Sequence, residues 1–416
     1  MPTMFFGMIL YCASQTESCT LEQACSMVDE KFGVKISKQS LNERFNKDAI
    51  VYVKQILSLA LERQLSEVLI PGFLPQFKKI RIKDGTRFNL PDRLSEYYKG
   101  SGGSKGVSNA AVCIQYEYDA RSGKILSLDI TSGTKNDQID AKETVNRVDL
   151  DDLIIRDLGY YSLPTLTSFD LAGAFFITRL GTKTNIYKPE EQKEVSFKSL
   201  YEDMLKKQQT CIEMDIHAGK KERMPLRLIV SIIPEEVYQK RIRDAEKNNK
   251  SRGHNTSDDF KSRCRFNLFI TKVKSEVLSA EEIIVLYKLR WQIELVFKIW
   301  KTTCKIDEIK PMKYERFTCI LYAKLILIVL NQQLIWNLKR YYYLKVGKIL
   351  SLFKCFTTLQ SKFEKIYGIM KNKRKESEKN LQEIVKIFSS NHWKEKRKNR
   401  LNYEDIIDLF ICKSII

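Results

Sequence analysis

Four polar side chains in one short segment of this sequence could act together on a phosphate group. They follow the spacing Y-x2-R-x3-E-x6-K and are Tyr287, Arg290, Glu294 and Lys301. On a helix that turns about 100° per residue, the other three lie within about 40° of Glu294. A carboxylate suits a hard cation such as Mg²⁺. The Arg and Lys side chains can hold phosphate oxygens, and the Tyr hydroxyl can donate a hydrogen bond to one.

These side chains share a face only if their segment forms an amphipathic helix. Its apolar residues lie on the opposite side and its flanks, at Val285, Leu289, Ile293, Val296, Ile299 and Trp300. We therefore predict one helix from Ser279 to Lys301 with a buried apolar side. An ordinary helix with ion pairs between residues four apart is the alternative. It explains an Arg beside Glu294 but does not predict the whole spacing.

Two aspartates stand at the ends of predicted strands earlier in the chain. Asp84 ends the alternating segment 79–84, and Asp157 ends the apolar segment 153–157. Further strands are predicted at 110–118, 124–130 and 174–178, and helices at 138–148 and 163–171. Three strands, a helix, a strand, a helix and a strand is the order of an RNase H-like domain. The predicted fold class is therefore α/β (α+β) with an RNase H-like catalytic domain.

Three motifs, in order over roughly residues 80 to 301, resemble those of the bacterial insertion-sequence DDE transposases of family four. The first is K-D-G-T at 83–86, and the second is R-D-L-G-Y at 156–160. The third is the spacing around Glu294, which is similar to the YREK signature of that family. One such motif would be weak support, but three in family order are specific.

The resemblance implies that Asp84, Asp157 and Glu294 are the catalytic residues and the metal ligands. It implies two ions, Mg²⁺ or Mn²⁺, with Asp84 in contact with both. Carboxylates and substrate phosphate suffice for Mg²⁺, and two ions about 3.5–4 Å apart can activate a hydroxyl and stabilise a leaving oxygen. We expect Tyr287, Arg290 and Lys301 to contact DNA.

The activity that the resemblance implies is cut-and-paste transposition. The enzyme would cleave at the ends of its insertion sequence and join the freed 3′-OH to target DNA. Its partners would be double-stranded DNA, as terminal inverted repeats and target, and a second copy of the chain in a synaptic complex. Relatives often form a hairpin and hold a flipped base on an aromatic residue of the insertion. Residues 181–274 contain no Trp, so Phe197, Tyr201 or Tyr238 would serve, or hairpin chemistry differs here.

Composition and patterning predict how the chain is divided. The expected regions are 1–75, helical and DNA-binding; 76–180, the first part of the catalytic domain; 181–274, a mostly β insertion; 275–340, the second part; and 341–416, a helical basic region. In the first, Gly33 ends one helix and Ser37 begins another, which carries Lys38 and continues through Arg44. This pattern predicts a helix-turn-helix with Lys38 and Arg44 at DNA, although a plain helical hairpin is nearly as consistent.

The net charge of +20, from 71 Lys+Arg against 51 Asp+Glu, favours a polyanionic partner. Basic clusters at 339–340, 371–375 and 394–400 indicate a surface that binds the DNA backbone. Leu381, Ile384, Ile387 and Phe388 form an apolar stripe that suits either a dimer contact or packing within the chain.

The sequence also favours a cytoplasmic, nucleoid-associated bacterial protein without a membrane partner. Its ten cysteines have no C-x-x-C spacing, which is typical of reduced thiols in the cytosol. The apolar run 319–330 contains Lys324 and is shorter than the roughly 20 residues that span a bilayer, so it predicts a buried helix.

Two alternatives to a transposase stay open, a DNA-binding protein without transposition activity and a stand-alone RNase H-like nuclease. The repeat sequence, target preference and host are not encoded in these patterns.

Overall fold

The structure is a computed structural model that describes residues 2–15, 19–69, 72–102, 108–190, 193–250, 256–371, 374–395 and 403–413. Its helices are α1 Pro2–Ser14, α2 Leu21–Phe32, α3 Lys38–Glu43, α4 Lys47–Glu62, α5 Asp137–Glu143, α6 Leu163–Leu171, α7 Phe197–Lys206, α8 Glu235–Lys250, α9 Asp258–Arg263, α10 Ala280–Tyr287, α11 Trp291–Thr302, α12 Tyr314–Val346, α13 Leu352–Ser361, α14 Phe363–Lys371, α15 Arg374–Asn391 and α16 Tyr403–Lys413. Its strands are β1 Ile80–Leu90, β2 Ala110–Asp119, β3 Ile125–Ser132, β4 Leu153–Arg156, β5 Phe175–Arg179, β6 Ile186–Tyr187, β7 Cys211–Ala218, β8 Met224–Ile232 and β9 Phe266–Thr271.

The mixed α/β (α+β) class predicted from the sequence is confirmed. Each strand predicted before residue 180 has its counterpart among β1 to β5, but β1 continues to Leu90, so Asp84 lies within the strand rather than at its end. Helix α6 lies where it was predicted, whereas α5 ends at Glu143 and a 3₁₀ turn follows at Val145–Arg147. The chain divides into two compact units. The first unit holds Met1–Pro75, Lys83–Lys135 and Trp291–Ile416, and the second holds Gln76–Ile82 and Asn136–Arg290. Strand β1 therefore begins in the second unit and continues in the first.

In the first unit, β1, β2 and β3 are neighbours in the order β3-β2-β1. Strands β2 and β3 are antiparallel, with Tyr116 opposite Leu128. All residues of β2 are buried, so both faces of this strand lie in the interior. The first half of β2 is continuously apolar, as expected for a strand buried on both faces, whereas its second half alternates between apolar or aromatic residues and the buried polar residues Gln115, Glu117 and Asp119.

The long helix α12 forms the helical core of the first unit and packs against α1 and α4. It contains the apolar run 319–330, whose residues are largely buried, so the predicted buried helix is confirmed. Among the described helices, α12 alone is long and apolar enough to cross a membrane. However, 72% of the most apolar 18-residue segment of α12 is buried in the protein, as in the core helix of a globular protein. Helix α12 is therefore weak evidence for a membrane span.

The local signals at the N-terminal helices are confirmed at α2 and at the start of α3. Thr20 and Gln23 form a capping box at the start of α2, and Gly33 ends this helix in the left-handed conformation at φ 64°. Ser37 accepts a hydrogen bond from the Ser40 amide at the start of α3. The second helix is shorter than predicted, because α3 ends at Glu43 and Arg44 is its C-cap rather than a residue on its face.

The second unit is built on a mostly antiparallel sheet. Its strands lie in the order β4-β5-β9-β8-β7-β6, and the first residues of β1 lie beside β4. Strands β4 and β5 are parallel, and β5 pairs antiparallel with β9. Strands β7 and β8, which form an antiparallel pair, lie in the segment 181–274 that was predicted to be mostly β. Apolar side chains of these strands and of α6 and α7 make one buried core.

The segment around Glu294 differs from its predicted form. The helix expected from Ser279 to Lys301 is interrupted by a 3₁₀ turn at Lys288–Arg290, which separates α10 from α11. A helical wheel drawn through the whole segment therefore does not hold across this turn. The polar stretch 241–262 begins in helix α8, which is mostly exposed, and ends in α9. Residues 251–255 of this stretch lie outside the described part of the chain.

The C-terminal region is helical, as predicted, through α13 to α16. In the apolar stripe of α15, Ile384 and Phe388 are fully buried within the chain. These two side chains therefore support packing within the chain and are not available for a contact between copies. Parts of the two last basic clusters, at 372–373 and 396–400, lie outside the described residues.

Candidate active site

Asp84 lies on β1 in the first unit and is half-buried. Its Oδ1 accepts a hydrogen bond of 2.8 Å from the backbone amide of Gly85. The next residue in the motif must be small, since a Cβ at Gly85 would lie 3.0 Å from Nε2 of Gln115 and 3.3 Å from Sγ of Cys113. Close packing of β1 on β2 is thus a reason for the glycine in K-D-G-T that the sequence alone did not reveal.

Helix α11 carries Glu294 and Lys301 and belongs to the same unit. Its Phe297 and Trp300 pack edge-on against Tyr116 of β2, with ring centroids 6.1 Å and 5.0 Å away. At the end of the helix, Nζ of Lys301 donates a hydrogen bond of 3.2 Å to the carbonyl oxygen of Arg87 on β1. The elements that carry Asp84 and Glu294 are therefore fastened to each other and to β2, and Glu294 is half-buried like Asp84.

A buried lysine secures the chain where it leaves α11. Nζ of Lys324, on α12, donates hydrogen bonds to the carbonyl oxygens of Cys304 and Lys305, at 3.2 Å and 2.5 Å. Burial lowers the pKa of Lys324 to about 8, against the opposing influence of the nearby Cys304, Glu308 and Asp307. No local pattern in the sequence indicates this role, because Lys324 interrupts an apolar run and has no charged partner nearby in the sequence.

Asp157 lies in the second unit, directly after β4, where two residues of the third motif meet it. The Tyr287 hydroxyl donates a hydrogen bond of 3.4 Å to Oδ1 of Asp157. Nε of Arg290 lies 3.6 Å from the same oxygen. The Arg290 side chain is 9% exposed and that of Asp157 is 43% exposed, so the carboxylate stays accessible while its partners are buried.

Burial raises the pKa of Tyr287 well above its ordinary range, and the charge of Asp157 adds to this effect. The hydroxyl therefore stays protonated and able to donate throughout the physiological pH range. The ring of Tyr287 packs against Phe269 of β9, with the centroids 5.1 Å apart. Tyr287 ends α10 and Arg290 lies in the 3₁₀ turn, so the interruption of the predicted helix occurs where these two side chains reach Asp157.

Asp137, at the start of α5, lies beside the second motif. A Cβ at Gly159 would come within 3.2 Å of the Asp137 carboxylate, so the glycine leaves room for it. The N-terminal turn of α5 is held there by Gln138, whose side chain donates to the carbonyl oxygen of Tyr161 at 2.8 Å.

The strand that leads to Asp157 is anchored by a buried ion pair. Arg81 at the start of β1 and Asp152 before β4 approach to 2.9 Å, and their side chains are 3% and 0% exposed. Asp152 is thus structural. Its removal would leave the Arg81 charge buried, which typically costs about 3–5 kcal/mol.

The three predicted metal ligands are suited to a hard divalent cation by type. All are carboxylates, and all are half-buried and hence open to solvent. Among the described residues, no group of three or more His, Cys, Asp or Glu side chains is close enough to form a metal site. Asp84 and Glu294 belong to the first unit and Asp157 to the second.

The predicted DNA contacts outside this site have other partners. Lys38 forms an exposed ion pair with Glu22 of α2 at 2.6 Å. Of the aromatic residues considered for base stacking, Phe197 is buried in the core of the second unit. Tyr201 and Tyr238 both contact the guanidinium of Arg265, whose Cζ lies 4.6 Å and 4.0 Å from their ring centroids. Phe197 is therefore not available for stacking without local unfolding.

Comparison with known proteins gives consistent matches. A family model described as a transposase DDE domain matches residues 75–330. The transposase for insertion sequence element IS231F of Bacillus thuringiensis subsp. israelensis is 31% identical, over 91% of this chain and 81% of that relative. The transposase for IS1151 of Clostridium perfringens is 31% identical, over 94% and 85%. The transposase for IS231E of Bacillus thuringiensis subsp. finitimus is 29% identical, over 96% and 86%.

Proposed function

This chain belongs to the insertion-sequence transposases that carry a DDE domain, and on that premise we propose how it acts. It cleaves DNA at the ends of its own insertion sequence and joins the freed 3′-OH ends to target DNA. Asp84, Asp157 and Glu294 are the catalytic residues, and the catalytic domain has the RNase H-like arrangement. That the chain is a transposase acting on DNA follows from its family.

The contact around Asp157 gives the strongest structural support. Tyr287, which is 130 positions later in the sequence, and Arg290 both approach Oδ1 of Asp157. Residues from the second and third motifs are thus brought together, although the motifs were identified independently from their spacing. The Asp157 carboxylate is 43% exposed, so it stays accessible to a metal ion or to DNA while it pairs with the buried Arg290 charge.

The chain's own residues have distinct roles in this proposal. Tyr287 and Arg290 orient the Asp157 carboxylate, while Lys301 holds β1 and α11 together and keeps Asp84 and Glu294 in fixed places. The three carboxylates would hold two Mg²⁺ or Mn²⁺ ions, which supply activation of the attacking hydroxyl and stabilisation of the leaving oxygen. Arg290 and Lys301 also hold phosphates next to the cleavage site, by position rather than by base identity.

The remaining regions are proposed to select and pair the DNA ends. Residues 1–75 would read the terminal repeats through α2 and α3, with Lys38 and Arg44 at the DNA. Residues 76–180 and 275–340 would form the catalytic domain, 181–274 its insertion, and 341–416 a basic region that grips the backbone. Two copies would bridge two ends in a synaptic complex at the bacterial nucleoid. The net charge of +20 supports this set of partners.

A cleavage assay on the natural ends tests the proposal. The DNA flanking the gene is sequenced for inverted repeats, and the purified chain is incubated with these ends in Mg²⁺, in Mn²⁺ or in excess chelator. We expect cleavage at the repeat boundary with either metal, none with chelator, and joined products when target DNA is added. Specific binding without cleavage would instead indicate a DNA-binding protein. Cleavage of ends and unrelated DNA alike would indicate a stand-alone nuclease.

A further inference from the structure

We propose that Cys12 and Cys19 form a reversible oxidation site, in which a peroxide or a low-molecular-weight disulfide links them as a disulfide. Their Sγ atoms lie 3.1 Å apart, with Cys12 as the donor of a thiol hydrogen bond to Cys19. A disulfide bond is about 2.05 Å long, so the sulfurs need to approach by about 1 Å. The site is independent of the proposed transposition chemistry.

The surroundings of the two thiols give them different parts in the reaction. Cys12 is buried on α1, whereas Cys19 is half-buried and precedes Thr20, the N-cap of α2. The hydrogen bond from Cys12 lowers the pKa of Cys19, and the nearby Arg316 guanidinium adds to this, while burial opposes it. The same hydrogen bond, together with burial, raises the pKa of Cys12. Cys19 is thus the more nucleophilic thiol and also the more accessible one.

The chemistry balances with hydrogen peroxide as the oxidant. The Cys19 thiolate attacks one peroxide oxygen, the O–O bond breaks, and a sulfenic acid and hydroxide form. The Cys12 sulfur then attacks the Cys19 sulfur, the S–O bond breaks, and water leaves with the Cys12 proton. Overall two thiols are oxidised to one disulfide, and the peroxide is reduced to two water molecules. A small dithiol reverses the change by thiol–disulfide exchange.

A disulfide here would join the last turn of α1 to a residue two positions before α2. Cys12 is close to a second sulfur as well, since its Sγ lies 3.9 Å from Sδ of Met8. The linkage therefore fastens the start of α2 to a helix that packs on α12 in the core of the first unit. Cys25, which lies on α2 itself, is the matched control, because burial raises its pKa and it is half-buried like Cys19.

The experiment is thiol counting and peptide mapping of the folded full-length chain after brief treatment with hydrogen peroxide. We expect the loss of two of the ten thiols, a peptide pair linked through Cys12 and Cys19, and full recovery with dithiothreitol. The Cys25→Ser variant should behave like the wild type. The Cys19→Ser variant should lose the linked pair, and Cys12→Ala should leave Cys19 as a sulfenic acid that dimedone traps.

Several results would contradict the proposed disulfide between Cys12 and Cys19. A folded chain that keeps all its thiols under this treatment would overturn the proposal. So would a linked pair made of other cysteines, or faster alkylation of Cys25 than of Cys19 by iodoacetamide near pH 7. Circular dichroism of each variant shows that it is folded. Since Cys19→Ser changes a half-buried residue outside the helices, that variant keeps the test valid even if Cys12→Ala fails to fold.

Discussion

Replacing Lys324 with methionine should make the stability of the chain depend on pH in a predictable way. The wild-type ammonium is buried in α12, and its pKa falls from 10.5 to about 8. A depression of this size corresponds to a cost of up to about 3.5 kcal/mol at pH 7, at about 1.4 kcal/mol per pKa unit. The carbonyl oxygens of Cys304 and Lys305 accept hydrogen bonds from the ammonium, so the net gain on replacement is smaller.

The direction of this pH dependence follows from whether the folded or the unfolded chain binds the Lys324 proton. Between about pH 8 and 10.5 the unfolded chain holds the Lys324 proton and the folded chain releases it, so the free energy of unfolding rises with pH. Below about pH 8 both states are protonated, and this contribution is constant. The Lys324→Met variant lacks the contribution altogether. The stability of the wild type minus that of the variant should therefore increase by about 2 kcal/mol between about pH 7 and pH 9.5.

Urea unfolding of both proteins at several pH values measures this difference, because all other titrating groups cancel. Leu327→Met, a conservative change at a buried position on the same helix, is the control and should follow the wild-type curve at every pH. A difference between wild type and Lys324→Met that stays constant over this range would refute the reasoning. It would mean that the two carbonyl contacts keep the lysine charged in the folded chain.

Further predictions concern the proposed site and the DNA contacts. Tyr287→Phe removes one long hydrogen bond to Asp157 and should slow end cleavage roughly fivefold, from about 1 kcal/mol, without weakening end binding; an unchanged cleavage rate would remove Tyr287 from the site. Arg290→Ala and Lys301→Ala should each slow cleavage strongly and make the log–log salt slope of end binding shallower by about one. Unchanged slopes in both would reject phosphate holding and leave Arg290 as a partner of Asp157. Replacing Lys38 and Arg44 together with Ala should reduce discrimination between terminal and random DNA more than total affinity, and equal discrimination in a competition assay would exclude the helix-turn-helix.

Local sequence signals predicted individual elements well. Strands β4 and β1 lie where an apolar and an alternating segment predicted them, and the caps at Gly33 and Ser37 depend only on residues next to them in the sequence. These features depend on residues close in sequence, and so a single chain contains enough information to locate them.

Features that depend on distant packing were not predictable in this way. No Gly or Pro marks the 3₁₀ turn at 288–290, yet Tyr287 and Arg290 make their contacts with Asp157 from that end of α10. The stripe at Ile384 and Phe388 suited a dimer and an internal core equally, because periodicity gives the apolar face but not its partner. The use of Lys324 as a donor to the end of α11 likewise depends on residues about 20 positions away.

The most direct test of the account is end cleavage by single alanine variants of Asp84, Asp157 and Glu294, measured beside end binding. Asp170→Ala is the control, because Asp170 forms a partly exposed ion pair with Lys272 at 3.2 Å and has no part in the proposed site. We predict that each of the three variants loses cleavage while binding terminal DNA about as tightly as the wild type, and that the control cleaves normally. Cleavage that persists in any one of the three would contradict the assignment of that carboxylate.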